Sequence, residues 1–150
     1  MRIVTIHIPR SAVMHDVAQL TAYLAVKHPD SEALCDRVPV VPADDEILDA
    51  AWRIGCAQLD LCLRHRLVPS HCVPTCEAYS VSLLVPNHCG ARQGEAVQAA
   101  AEAYLAAVVT AYWLSVAMPE AENKYATEAI RCLRMLDTTI SRRHRRMQVI

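Results

Sequence analysis

The sequence predicts a mostly α-helical protein, a bundle of about four helices with a two-stranded antiparallel ribbon. Residues 2–8 and 78–85 are rich in β-branched or alternating apolar residues and stop at prolines, as short strands do. Elsewhere apolar residues recur at helical spacing over long segments. With 150 residues, 53% of them hydrophobic, we expect a single domain. Its parts are an acidic helical body, 1–130, and a basic helix end, 131–150.

A strand, a helix and a loop open the chain. The apolar residues of strand 2–8 favour one of its two faces. Ser11 is the expected N-cap of a helix over about 12–27, because serine at this position accepts a hydrogen bond from a free backbone N–H. The helix would end at His28-Pro29-Asp30. Three prolines and no periodicity predict a loop at 29–43, and loops of this length are commonly functional.

A second helix is predicted from Pro42 onward. Asp44, Asp45 and Glu46 would lie at its positive end, which acidic side chains stabilise. Cationic residues at 64–66 would complete its last turn. The residues expected to face the core are Leu48, Trp52, Gly55, Leu59 and Cys62, widened by Ile47, Ala51, Ile54 and Leu61.

The second strand candidate, 78–85, alternates Tyr79, Val81 and Leu83 with serines. The simplest sheet pairs it antiparallel with 2–8. Two strands alone are marginal in water, so this ribbon must pack on helices or be completed by another subunit.

Two helices complete the chain. The Ala-rich segment 93–117 is apolar nearly all round and is the predicted central helix. Met118-Pro119 would break it and start the last helix, forming an antiparallel hairpin. The buried stripe of that last helix is expected to be Ala121, Tyr125, Ala129, Cys132, Leu136 and Ile140.

Cysteine usage and hydropathy indicate where the protein works. Seven cysteines show no repeated spacing, and the first residues do not resemble a secretory signal, so we expect reduced thiols in a cytosol. The uncharged stretch 103–118 has 16 residues, short of the about 20 that a membrane span requires. We therefore expect a buried helix in a soluble protein, with no membrane partner.

Charge is distributed unevenly along the chain. Residues 131–150 contain six arginines and one aspartate, a net charge of +5, which leaves −6 on residues 1–130. The pattern suits contact with an acidic protein surface or with nucleic acid. Arginines that complement the dipole of a solvated helix end would give the same pattern.

A metal site is the sharpest chemical candidate in the sequence. Its ligands would be the thiols and imidazoles of His71, Cys72, Cys76, His88 and Cys89, a set from which zinc could take four. The spacing lacks the two matched pairs of structural zinc sites, and scattered buried thiols explain the same residues. A zinc-binding or thiol-dependent protein is therefore an alternative, and we predict no metal and no cofactor.

Other catalytic patterns are weak. No local signature surrounds the cysteines, and the position of Asp44, Asp45 and Glu46 at a helix start explains them without acid–base chemistry. The glycines lack phosphate-loop spacing. We predict that the chain is not an enzyme.

The basic end, SRRHRRM, has no interleaved aromatic residues and no reading motif for bases. Sequence-specific nucleic-acid binding is thus not predicted. A helical module that contacts phosphates non-specifically remains a further alternative.

The order of elements resembles small head–tail connector proteins (adaptor or head-completion proteins) of tailed bacteriophages and prophages. Four segments carry the resemblance: RIVTIHIP, with Thr21-Ala22-Tyr23 in the following helix, AYSVSLLVP, AEAYLAAVVTAYWLSV, and the helix from PEAENKYATEAI to its basic end. The connectors end their corresponding helix in an aromatic-Trp-Leu step, here Tyr112-Trp113-Leu114. The cysteine content and the proline-containing stretch 65–76 depart from the family.

The resemblance implies a helical body with a protruding β element, assembled as a ring of about a dozen copies. The ring would lie between portal and tail and enclose a channel through which DNA passes without sequence-specific binding. It implies location in the virion, and in the host cytoplasm during assembly. The C-terminal segment would dock on the portal or on neighbouring subunits. The residues expected to make that contact are Arg142, Arg143, Arg145 and Arg146, with the loop 29–43 as a second candidate.

Overall fold

The computed structural model describes residues 1–27, 37–41, 44–68, 76–87 and 90–141. Within these residues the chain forms four helices and a two-stranded antiparallel sheet, which confirms the predicted fold class. The elements, in chain order, are β1 (Arg2–Pro9), α1 (Arg10–Lys27), α2 (Asp45–Leu63), β2 (Ala78–Val85), α3 (Ala91–Ala117) and α4 (Pro119–Ser141).

The ribbon pairs β1 with β2 from Arg2 opposite Val85 to Pro9 opposite Ala78. Because side chains alternate between the faces of a strand, one face presents the buried Ile6, Ile8 and Val81 to the helices. The predicted ribbon is therefore correct in its two strands and in their orientation, and it gains its stability by packing on the helical body.

α3 is the central helix, and α1, α2, α4 and β1 all pack against it. Its buried residues lie on several sides, among them Val97, Leu105, Val109 and Leu114. α3 is long and apolar enough to cross a membrane, with a mean hydropathy of 1.4 over its best window, but 56% of that window is buried inside the fold. A helix surrounded by other elements has the same composition.

α3 and α4 form the predicted antiparallel hairpin, with Met118 as the connecting residue. The side-chain amide of Gln93, near the start of α3, donates a hydrogen bond of 2.5 Å to the carbonyl oxygen of Thr139, near the end of α4. The stripe predicted for α4 is buried at Tyr125, Ala129, Cys132, Leu136 and Ile140, and Ala121 is half-buried.

α2 packs on α3 at Gly55, where an added Cβ would come within 3.3 Å of Leu105 Cδ2 and 3.4 Å of Val108 Cγ1. α2 also contacts the ribbon, because Tyr79 Oη donates a 2.7 Å hydrogen bond to Asp60 Oδ1. The fully buried Tyr79 ring thus carries a polar link between β2 and α2.

Two local predictions are wrong. α1 begins at Arg10, one residue before its expected cap at Ser11, and the Arg10 N–H donates instead to the carbonyl of Glu77. On α2, Ile54, Leu61 and Cys62 are exposed although their spacing favoured the core. The buried face of α2 runs instead through Cys56 and Leu63, which lie four residues after Trp52 and Leu59, so the helix packs through a face rotated away from Ile54 and Leu61.

Candidate functional site

The outer face of the ribbon, turned away from the helices, is mostly polar. Thr5 Oγ1 lies 2.9 Å from Ser82 Oγ, and His7 Nδ1 lies 2.5 Å from Ser80 Oγ. Both are cross-strand pairs between directly opposite residues. Ile3 is the exposed apolar residue of this face, with 54% of its surface accessible.

The two edges of the ribbon differ. Along β2, the Val68 N–H donates to the Ser82 carbonyl at 2.9 Å, and the Leu84 N–H donates to the Arg66 carbonyl at 2.7 Å. The short segment 66–68 therefore covers this edge. The backbone groups of Ser82 and Leu84 therefore point away from β1. In an antiparallel ladder, residues opposite such positions also point their backbone groups outward, so those of Thr5 and Ile3 point away from β2.

The outer edge of β1 is consequently open at Ile3 and Thr5. Within the part of the chain that the structure describes, their outward N–H and C=O groups have no hydrogen-bond partner. At His7 the N–H donates to Gln98 Oε1 of α3 at 3.4 Å, a long bond. Open strand edges of this kind are templates for pairing with a further strand.

Beside this open edge is a cleft of about 470 Å³, which we call the edge cleft. One wall is β1 from Arg2 to Thr5. The other wall is the face of α3 that carries Ala91, Gly94, Glu95, Gln98, Ala99 and Glu102. Among the described residues, neither Glu95 nor Glu102 forms an ion pair. The helix wall of the edge cleft is therefore built of small residues, one amide and two carboxylates.

A second depression, of about 620 Å³, lies between α1, α3 and α4. Ala103, Ala106 and Ala107 line its α3 side. On its α4 side Arg131 Nε donates to Glu128 Oε2 at 2.8 Å, and this bond lowers the pKa of Glu128. The charges of this pair already satisfy one another, so they leave little unmet charge for a ligand.

Of the five candidate zinc ligands, the structure describes Cys76. Cys76 is exposed, two residues before the start of β2. His71, Cys72, His88 and Cys89 lie outside the described residues. Within the described ranges, no group of three or more potential metal ligands is found. The zinc site stays an untested alternative to the prediction of no metal.

The buried thiols that the structure describes do not have the properties of nucleophiles. Burial, followed by the nearby Asp60 carboxylate, raises the pKa of Cys56 to about 12. Burial likewise raises the pKa of Cys132. Nucleophilic cysteines need the opposite shift, because the thiolate is the reactive form. Cys56 and Cys132 therefore serve as packing residues of the core.

Arg142, Arg143, Arg145 and Arg146, predicted to dock on partners, also lie outside the described residues. α4, which leads to them, ends at Ser141. Its end is fixed to the segment that follows α2, since Arg66 donates a 3.0 Å hydrogen bond to Ser141 Oγ. The point from which the basic segment leaves the body is thus defined.

The described part of the loop 29–43, residues 37–41, packs on the body. Trp113 Nε1 donates a buried 2.7 Å hydrogen bond to the Val38 carbonyl. The Val40 N–H donates to Thr21 Oγ1 of α1 at 3.3 Å. Val38 is 1% exposed. These contacts hold this part of the loop against α1 and α3. Val41, at its end, is exposed to a partner.

The acidic residues at the start of α2 make structural contacts. Asp44 Oδ2 accepts a 2.8 Å hydrogen bond from the Val41 N–H, and Asp45 forms a 2.8 Å ion pair with Arg10 at the start of α1. Asp44 and Asp45 therefore fix a turn and join two helix starts, which explains them without acid–base chemistry.

Sequence reasoning missed the edge cleft. Its signal was present in α3, where polar residues at 95, 98 and 102 interrupt one face of an otherwise apolar helix. Their proximity to β1 follows from Gly94, whose added Cβ would lie 3.4 Å from Val4 Cγ1.

Comparisons of the chain with protein-family models, with curated proteins and with solved structures find no match.

Proposed function

We propose that the chain is a structural assembly protein: a head–tail connector subunit of a tailed bacteriophage or prophage that forms a ring between portal and tail. The open edge of β1 beside the acidic edge cleft is the observation that carries the assembly role. The connector type rests on the resemblance in RIVTIHIP, AYSVSLLVP and the helix pair of α3 and α4.

The physical case for assembly has two parts. An open strand edge leaves backbone donors and acceptors that a further strand would satisfy. The acidic residues 1–130 and the basic residues 131–150 complement each other head to tail. A head-to-tail contact produces a closed ring when the rotation that relates neighbouring copies adds up to one full turn.

In this proposal the partners are further copies of the chain, the portal protein and tail components. DNA passes through the channel without sequence-specific contact. The chain works in the virion and in the host cytoplasm during assembly, without catalysis and without a cofactor.

The mass of the protein in solution tests the proposal. Size exclusion with light scattering is run over a range of concentrations and of salt, followed by electron microscopy of the largest species. We expect an oligomer that dissociates as salt rises, because salt screens contacts between charges. A strict monomer of 16.6 kDa at every concentration would refute self-assembly.

Reversing the charge of the basic end tests whether this segment is needed for assembly. Replacing Arg142, Arg143, Arg145 and Arg146 by Glu should abolish assembly and leave the helical circular dichroism unchanged. The control reverses four exposed cations elsewhere, Lys27, Arg37, Arg64 and Arg92, with the same change in net charge. Assembly that survives the first variant, or that fails equally in both, contradicts docking through the basic end.

A nucleic-acid-binding module is the second candidate, favoured by four arginines within residues 142–146. Its mark would be binding of a fluorescent DNA duplex that falls steeply with salt. Binding that persists in a protein that never assembles would favour this candidate over the connector.

A further inference from the structure

We infer that the edge cleft is the receiving half of the subunit contact, and that it binds residues 142–150 of a neighbouring copy as a strand added to β1. The inference rests on the proposed function and names the two surfaces that meet. β-Strand addition uses backbone hydrogen bonds for affinity and side-chain contacts for selectivity.

The edge supplies the backbone half of the contact. Ile3 and Thr5 turn N–H and C=O groups outward, away from β2, and no described residue pairs with them. A strand laid along residues 2–6, beside the open groups of Ile3 and Thr5, would span about 15 Å. Nine residues follow Ser141, and extended they reach about 30 Å. The segment is long enough to leave one copy and pair with another.

Charge selects the occupant. The edge cleft is lined by Glu95 and Glu102 on its helix wall and by Arg2 on β1, so carboxylates exceed cations by one. Residues 142–150 carry four arginines and no acid. A symmetric pairing of β1 with β1 of a second copy would bring four of these carboxylates and two Arg2 side chains to one junction, where the excess of negative charge is repulsive. An occupant with cationic side chains avoids this repulsion.

The position of α4 favours a neighbouring copy over the same chain. α4 ends beside Gln93, whose side chain binds Thr139. At 3.6 residues per turn, Gln93 is about 160° around α3 from Ala91 and Glu95, which line the edge cleft. The basic segment thus starts on the side of α3 opposite its own cleft.

Two full-length variants test the inference. The cleft variant carries Glu95→Arg and Glu102→Arg. The tail variant carries Arg142→Glu, Arg143→Glu, Arg145→Glu and Arg146→Glu. Alone, each pairs like charges and should lose assembly. Mixed in equal amounts, the acidic tail meets the basic cleft and the basic tail meets the acidic cleft, so the mixture should recover the oligomer of the unaltered protein.

The control for the cleft variant carries Glu77→Arg and Glu120→Arg, two exposed positions outside the edge cleft with the same change in net charge. It should not rescue the tail variant. Circular dichroism and thermal melting establish that each variant is folded before it is mixed.

The outcomes separate the inference from the proposed function. If the unaltered protein assembles and the mixture stays monomeric, the edge cleft is not the receiving surface, and the assembly role stands. A cleft variant that assembles normally also overturns the inference, in favour of a tail bound within its own chain or to DNA. If the unaltered protein itself never assembles, the proposed function and the inference fail together.

Discussion

Tyr79 shows how one buried hydroxyl connects two elements that are distant in sequence. Its ring is fully buried in the ribbon, and its Oη donates to Asp60 of α2 at 2.7 Å. A hydrogen bond to a charged acceptor contributes more than a neutral one, and the acceptor keeps its desolvation cost if the donor is removed. This hydroxyl therefore stabilises the link between the ribbon and the helical body.

We predict that Tyr79→Phe lowers the free energy of unfolding by about 1–2 kcal/mol, because the Asp60 carboxylate loses this donor in a partly buried position. Urea unfolding followed by circular dichroism measures the change. Tyr112→Phe is the matched control, since Tyr112 is 38% exposed and should tolerate the loss of its hydroxyl. Equal effects of the two substitutions would contradict the role of the Asp60 bond.

Thiol reactivity is predicted to follow burial among the four cysteines that the structure describes. Alkylation of the folded protein at pH 8, read by peptide mass spectrometry, should modify Cys62 and Cys76 first, because both are exposed. Cys56, with its pKa raised to about 12, should react upon unfolding. Fast alkylation of Cys56 in the folded state would show that α2 does not pack as described.

The raised pKa of Cys56 also predicts a dependence of stability on pH. The unfolded thiol ionises near its ordinary pKa of 9.0, whereas the folded thiol stays protonated to about 12. The protonated Cys56 thiol therefore contributes fully to the stability of the folded state below pH 9, and this contribution is lost as pH rises toward 12. Between pH 9 and pH 12, the free energy of unfolding measured in urea should fall more for the unaltered protein than for the Cys56→Ala protein. If the free energies of the two proteins fall in parallel with pH, the raised pKa of Cys56 is contradicted.

At the scale of elements, glycines mark two places where α3 is approached closely. Gly55 of α2 faces Leu105 and Val108 of α3, and Gly94 of α3 faces Val4 of β1. The first lies between two core helices, where a larger side chain has to displace packed neighbours. The second lies at an ordinary contact distance beside the edge cleft.

We predict that Gly55→Leu lowers the free energy of unfolding by about 1–3 kcal/mol, because the added atoms overpack the contact between α2 and α3. Gly94→Ala is the comparison, and should be neutral or stabilising by up to about 1 kcal/mol, since alanine favours the helix and its Cβ meets Val4 at 3.4 Å. Chemical unfolding of both proteins measures the difference, and an unchanged stability of the Gly55→Leu protein would show that the helices are not in close contact.

How far the sequence predicts the structure depends on the range of the interaction. Alternation at 78–85 and the Met118-Pro119 break are local signals, and they predicted the ribbon and the α3–α4 hairpin correctly. The cover of the β2 edge by residues 66–68 and the bond from Trp113 to Val38 join distant segments, and no local pattern encodes them. The edge cleft was missed for the same reason, because it arises where α3 meets β1.

At the scale of the whole molecule, the proposed contact joins different surfaces, the edge cleft of one copy and residues 142–150 of the next. Such a contact leaves one free surface at each end of an open chain until the ring closes. The assembly is therefore sensitive to copies that carry one functional surface, which add to a growing chain and block the next addition. A contact between identical surfaces would lack this sensitivity.

The last prediction follows from that difference. Adding the Glu95→Arg, Glu102→Arg cleft variant to the unaltered protein at about one copy in five should convert rings into short open oligomers, since its intact basic tail binds a neighbour while its cleft rejects the next tail. A variant that only diluted the unaltered protein would lower the mean mass by about one fifth. Light scattering should show a mean mass well below that value. A decrease in simple proportion to the added variant would indicate that the variant stays outside the assembly, and that copies meet through another surface.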